Sequence, residues 1–151
     1  MGKTQKQPYS VLLADDSPQD RLLMRLALQS HPRLSVVGEV SDGIETIAYL
    51  SGDGPFTDRK QYPFPDLLIL DLKMPRKTGY EILEWLQAQA FDELRIVVVS
   101  GSVLPEDRDR SIALGADAYY VKAADRLKRE AMVRGIEGLL KKSRPRKTVR
   151  R

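Results

Sequence analysis

Short runs of branched apolar residues alternate five times with stretches of helical spacing along the chain. Tyr9 to Ala14 reads as the first strand. Ser17-Pro18 then opens a helix, with Ser17 as N-cap and Pro18 at the first helical position. Leu22, Leu23, Leu26 and Ala27 supply its expected apolar face, and His31-Pro32 ends it, because a residue before proline avoids the helical region. Leu34 to Val40 predicts a second strand. Asp42-Gly43 starts a second helix whose apolar face is Ile44, Ile47, Ala48 and Leu50. Asp66 to Asp71 is the third strand, and Gly79 to Ala90 the third helix, with Ile82, Leu83 and Leu86 inward. Arg95 to Ser100 is the fourth strand. Pro105 opens a fourth helix, and Gly115 closes it as a C-cap. Ala118 to Val121 is a short fifth strand. Asp125 caps a last helix running to Lys141, with Leu127, Met132, Ile136, Leu139 and Leu140 as candidate core.

Strict strand-helix alternation implies an α/β fold with a parallel sheet covered on both faces. At this length the natural arrangement is a flavodoxin-like doubly wound five-stranded parallel sheet of order 2-1-3-4-5. One connection stands out. Gly52 to Pro65 contains three prolines and is long for a compact α/β domain, and loops of that length are often functional. Its aromatic residues, Phe56, Tyr62 and Phe64, are expected to fold back on the body.

Composition narrows the class. The 151 residues suffice for one domain with a proper core, and 42% hydrophobic with 30% charged residues is the balance of a soluble globular protein. The absence of cysteine excludes disulfides, zinc thiolates and a cysteine nucleophile. No apolar stretch approaches the roughly 20 residues that span a bilayer, and Met1 to Lys6 lacks a secretory signal's apolar segment. A cytoplasmic location is the expectation. The net charge of +4 is local: Lys141, Lys142, Arg144, Arg146, Lys147, Arg150 and Arg151 supply seven of the 25 basic residues, leaving 18 against 21 acidic ones. The expected organisation is a flexible arm over 1–8, one domain over 9–141 and a basic, disordered tail over 142–151. That tail suits an anionic partner such as nucleic acid, or simple solvation.

The chemistry lies at the strand ends. In open parallel sheets, ligands bind outside the carboxyl ends of the strands. The first strand ends in Asp15-Asp16, the third in Asp71 followed by Leu72-Lys73-Met74-Pro75, the fourth in Ser100-Gly101-Ser102 and the fifth in Lys122. Three carboxylates, a hydroxyl and an ammonium therefore converge on one face. An oxygen-only set suits a hard divalent cation such as Mg2+. Aspartate can serve as a nucleophile and form an acyl phosphate, and phosphoryl transfer depends chiefly on positioning and cationic stabilisation.

Asp15-Asp16, Asp71-x-x-Met-Pro-x-x-x-Gly79, Ser100 and Lys122, in that order on five strand-helix units, resemble the receiver domain of two-component response regulators. The resemblance covers Tyr9 to Lys141, and receivers are themselves a precedent for the 2-1-3-4-5 order. It implies that Asp71 is the phosphoacceptor, Asp16 a direct metal ligand and Asp15 a ligand through water. It further implies that the Lys73 backbone carbonyl completes a Mg2+ site. Ser100 and Lys122 would sense the phosphoryl group, and Tyr119 stands where the family carries its switch aromatic. The implied partners are a sensor histidine kinase or a histidine phosphotransfer protein, a downstream protein, and a second copy through the face of the fourth helix, fifth strand and fifth helix. The proline-rich loop is similar to that of single-domain regulators paired with bacterial phytochromes. Because the tail after Lys141 is too short to fold, the expected output is protein binding, and the chain is expected to act on no substrate beyond its own phosphorylation and dephosphorylation.

One position departs from the family pattern: Ala123, not proline, follows Lys122. A cis bond ahead of a non-proline residue costs about 2.5–4 kcal/mol. The bond is thus either trans with a changed loop or cis at that cost. Three other readings compete. A haloacid-dehalogenase-type phosphatase would need a second aspartate two residues after the nucleophile, where Lys73 stands. A phosphorylation-independent binding module would keep the fold without the switch. A nucleic-acid binder would work through the basic tail.

Overall fold

The computed structural model describes residues 7–142; residues 1–6 of the predicted arm and 143–151 of the predicted tail lie outside the described residues. Five strands, β1 (Tyr9–Ala14), β2 (Leu34–Val40), β3 (Leu67–Leu70), β4 (Arg95–Ser100) and β5 (Ala118–Val121), form one sheet of order β2-β1-β3-β4-β5. All four pairings are parallel. The helices are α1 (Pro18–Gln29), α2 (Gly43–Ser51), α3 (Gly79–Gln87), α4 (Pro105–Ala113) and α5 (Arg126–Lys141). The predicted fold class and strand order are those observed.

Strand alternation divides the core into two layers. Leu12, Ala14, Leu68, Leu70, Ile96 and Val98 face α2 and α3, where they meet Tyr49, Leu50, Ile82, Leu83 and Leu86. Val11, Leu13, Leu67, Ile69, Val97 and Val99 face α1 and α5, where they meet Met24, Leu28, Met132, Val133 and Ile136. Successive strand side chains point to opposite faces, so these continuous apolar runs are buried twice over.

Several expected helix faces differ from the structure. On α1, Met24 and Leu28 are the buried pair, while Leu22 and Leu26 are 44% and 53% exposed and Leu23 lies at the surface. Both sets have helical spacing, and packing across the sheet chose the one-turn pair Met24 and Leu28. On α2, Ile44 is exposed and Tyr49 is buried instead. The Tyr49 ring lies over Gly38, where an added Cβ would come within 2.7 Å of it. On α5, Leu127 is 72% exposed and Val133 takes its place in the core. The third helix stops at Gln87, and the cap of α4 is Leu114, with Gly115 following at φ +110°.

The long loop does fold back. Phe56 and Tyr62 pack with Tyr49 as a three-ring cluster, with centroids 5.0 to 6.0 Å apart. Phe64 sits 4.8 Å from Phe91. The Arg59 guanidinium donates to the carbonyls of Tyr49, Leu50 and Tyr62 at 2.8, 2.9 and 3.1 Å. It thereby satisfies the open C-terminal carbonyls of α2, which Gly52 closes in the left-handed conformation at φ +71°. No helix among the described residues is long and apolar enough to cross a membrane.

Candidate functional site

The sheet ladder brings the acidic strand ends together. The Asp15 N–H donates to the Val40 carbonyl and the Asp71 N–H to the Ala14 carbonyl, which fixes both residues one step past paired strands. One carboxylate oxygen from each of Asp15, Asp16 and Asp71 lies within 4.8 Å of the others. Asp16 is exposed, Asp15 half-buried, and Asp71 only 5% exposed. Burial pushes the Asp71 carboxyl above its ordinary range, the Asp15 charge adds to the rise, and Lys122 opposes it.

Lys122 reaches this group from β5. Its backbone N–H donates to the Ser100 carbonyl. Its Nζ lies 2.9 Å from Asp15, 3.2 Å from Asp71 and 2.8 Å from Asp20. Burial alone would lower the ammonium's proton affinity. The carboxylates of Asp20, Asp15 and Asp71 outweigh that and hold its pKa above an ordinary lysine's. The described residues contain no cis peptide bond, so the bond between Lys122 and Ala123 is trans. The changed loop is secured instead by Arg129, which donates to the carbonyls of Ala123 and Ala124 at 2.9 and 2.7 Å.

Ser100 is buried at the end of β4, and its hydroxyl accepts the Ser102 N–H at 3.1 Å. It lines a depression shared with Asp16, Lys73, Thr78, Ser102 and Asp107. The Lys73 N–H faces Asp71 at 3.4 Å. The Tyr119 hydroxyl donates to the Ser102 carbonyl at 2.8 Å, which ties β5 to the loop after β4.

The spacing between Asp71 and Gly79 has a steric cause. An added Cβ at Gly79 would lie 2.5 Å from the Asp71 carbonyl and 2.6 Å from the Leu72 Cα. Real Cβ atoms do not approach so closely, so the start of α3 packs against the backbone of Asp71 and Leu72 only with glycine there. In between, Met74 is buried, and Arg76, at φ +69°, pairs with the Asp42 carboxylate at 2.8 Å.

Three residues of this region carry no local signal in the sequence. Asp20 looks like an acid that merely complements the N-terminus of α1, and its partner Lys122 is 102 positions away. Tyr80 on α3 and Asp107 on α4 also meet only in the fold. The Tyr80 hydroxyl donates to Asp107, whose other oxygen accepts the Ser102 hydroxyl. Asp107 is held below the usual carboxylate range, first by Ser102 and then by Tyr80.

The donor set fits a hard divalent cation. Mg2+ is bound through one or two carboxylates with several waters kept in place, so Asp15, Asp16 and Asp71 would suffice to hold it, in part through water. Carboxylate, carbonyl and water oxygens suit Mg2+ and Mn2+ alike.

The response regulator receiver domain family matches residues 11–134. Over 117 residues the chain is 34% identical to the nitrate/nitrite response regulator protein NarL of Escherichia coli (strain K12), covering 78% of this chain and 49% of NarL. The chain thus spans about half the length of that relative. It is 30% identical over 131 residues to the response regulator Rcp1 of Synechocystis sp., covering 86% of this chain and 87% of Rcp1. The Mn2+-bound crystal structure of Rcp1 superposes with a TM-score of 0.74 at 26% identity, over 93% of this chain and all of that one. The phosphorylated cyanobacterial phytochrome response regulator RcpA superposes with a TM-score of 0.76 at 31% identity, over 88% of this chain and 94% of RcpA.

Proposed function

The chain belongs to the response regulator receiver domain family of two-component signalling, and from that premise we propose that Asp71 accepts a phosphoryl group in a Mg2+-dependent reaction. The donor is a sensor histidine kinase or a histidine phosphotransfer protein. The observation that carries this reading is the convergence of Asp15, Asp16 and Asp71 within 4.8 Å beside the Lys122 ammonium.

Asp16, Asp71 and the Lys73 backbone carbonyl would hold the ion directly, and Asp15 through a water. The bound ion supplies positive charge that keeps Asp71 ionised and offsets charge on the transferring oxygens. An Asp71 carboxylate oxygen attacks phosphorus. The bond from phosphorus to the donor imidazole nitrogen breaks, and that nitrogen keeps the electron pair. Lys122 and the Ser100 hydroxyl then bind phosphoryl oxygens at the mouth of β4 and β5. Because the Ser102 N–H donates to the Ser100 hydroxyl and the Ser102 carbonyl accepts from Tyr119, movement of Ser100 is passed to β5. A local charge event thereby becomes a change of surface.

The readout face is that of α4, β5 and α5. It exposes Val103, Leu104, Ile112, Val121 and Leu127, an apolar set suited to a downstream protein or a second copy. Similarity to RcpA over most of both chains supports a phytochrome-type sensor as the phosphoryl source.

The test is intact-protein mass spectrometry after incubation with Mg2+ and a small acyl phosphate, with Asp71→Asn alongside. A single phosphoryl adduct on the wild type alone is expected. No adduct on a protein whose circular dichroism is intact would leave the phosphorylation-independent binding module.

A further inference from the structure

The Lys122 ammonium has three carboxylate partners, and two of them, Asp15 and Asp71, belong to the metal-binding set. The third, Asp20, does not. A divalent cation entering between Asp15, Asp16 and Asp71 competes with the ammonium for the same oxygens, and the two cations repel. Lys122 cannot retreat with its backbone. Its N–H is tied to the Ser100 carbonyl, and the next two carbonyls are gripped by Arg129. Only the side chain can move. Asp20 offers it a carboxylate 2.8 Å away on the first turn of α1, on a more solvated side chain than Asp15 or Asp71.

We infer that Asp20 is a positioning residue for Lys122, holding its ammonium at the rim of the site when the three other carboxylates take up the metal. The inference rests on the proposed reading of Asp15, Asp16 and Asp71 as metal ligands. Asp20 is well built for the task. Its backbone N–H donates to the Ser17 hydroxyl at 3.2 Å, so its place on the helix is fixed. Its carboxylate sits at a helix N-terminus, where negative charge is favoured. When a phosphoryl group arrives on Asp71, its oxygens compete with Asp20 for the ammonium already waiting beside them. Without Asp20, Lys122 falls back on Asp15 and Asp71 and obstructs the metal.

The test is a double-mutant cycle on Mg2+ affinity, measured by titration calorimetry on wild type, Asp20→Asn, Lys122→Ala and the double variant, each checked for fold by circular dichroism. Asp20→Asn is expected to weaken Mg2+ binding by about three- to tenfold, in the lower part of the range of coupling between neighbouring charged groups. In the Lys122→Ala background the same substitution is expected to change affinity little, and Asp20→Glu is expected to recover part of the loss. An equal loss with and without Lys122 would show Asp20 acting through its own charge and would overturn the inference while leaving the metal site standing. Tighter binding in Asp20→Asn would overturn it as well. A wild type that binds no Mg2+ would instead remove the metal-site reading and this inference with it.

Discussion

The Tyr80 hydroxyl donates to the Asp107 carboxylate, joining the start of α3 to the first turn of α4 across the mouth of the site. Asp107 also accepts from Ser102, and Ser102 in turn holds Ser100 and Tyr119 through its backbone. Arg110 stacks 3.9 Å over the Tyr80 ring. The loop after β4 is therefore restrained from three elements at once.

Breaking this link should loosen that loop. Tyr80→Phe is expected to lower unfolding free energy by about 1 kcal/mol, the net worth of one hydrogen bond, read from urea unfolding. Hydrogen exchange at the Ser102 and Leu104 amides should quicken in the same variant. Burial, with the Asp107 hydrogen bond and charge, pushes the Tyr80 hydroxyl up to about 12. An unfolded tyrosine titrates near about 10. Its contribution is thus complete below the unfolded value and is lost as the pH climbs through the folded one. In a tyrosinate absorbance titration, one late-titrating tyrosine should vanish in Tyr80→Phe.

Asp71 has the opposite sign. Its folded pKa is raised by burial and by Asp15, so its ionised form opposes folding at neutral pH. That penalty is absent below the unfolded value of about 3.9 and complete above the folded one. Asp71→Asn is therefore expected to raise the melting temperature in chelator at neutral pH, and to do so less in acid. Added Mg2+ should stabilise the wild type and barely affect the variant.

Gly79→Ala places a methyl group against the Asp71 carbonyl and the Leu72 Cα. Overpacking of this kind costs about 1–3 kcal/mol. The backbone must move at the proposed phosphoacceptor itself. Slower adduct formation from an acyl phosphate is expected together with a lower urea midpoint.

Arg59→Ala removes three charge-assisted bonds to the carbonyls of Tyr49, Leu50 and Tyr62. A loss of about 2 kcal/mol is expected, with new proteolytic cleavage confined to 52–65. Adduct formation on Asp71 should be unchanged, because Arg59 ties this loop to α2, away from the carboxyl ends of the strands.

Much of this fold is legible in the amino-acid sequence alone. Runs such as Val11 to Ala14 and Leu67 to Leu70 declare buried strands because both their faces must be apolar, and the Ser17-Pro18 and Asp42-Gly43 starts declare helices because capping is local. Strand direction then carries Asp15, Asp16, Asp71, Ser100 and Lys122 to one edge. The apolar faces of the helices were less legible. Leu22 and Leu26 are spaced as regularly as Met24 and Leu28, and only the latter pair is buried.

The sequence by itself determined the alternation of elements and the set of groups at the sheet's carboxyl edge, since both follow from short-range periodicity and chain direction, while the 2-1-3-4-5 order came with the resemblance to receivers. Tertiary structure alone decided which side chains meet: Asp20 with Lys122, Tyr80 with Asp107, and Tyr49 over Gly38. Each of those contacts joins residues on separate elements, and their distance is set by how helices settle on the sheet, a packing outcome that no local pattern encodes.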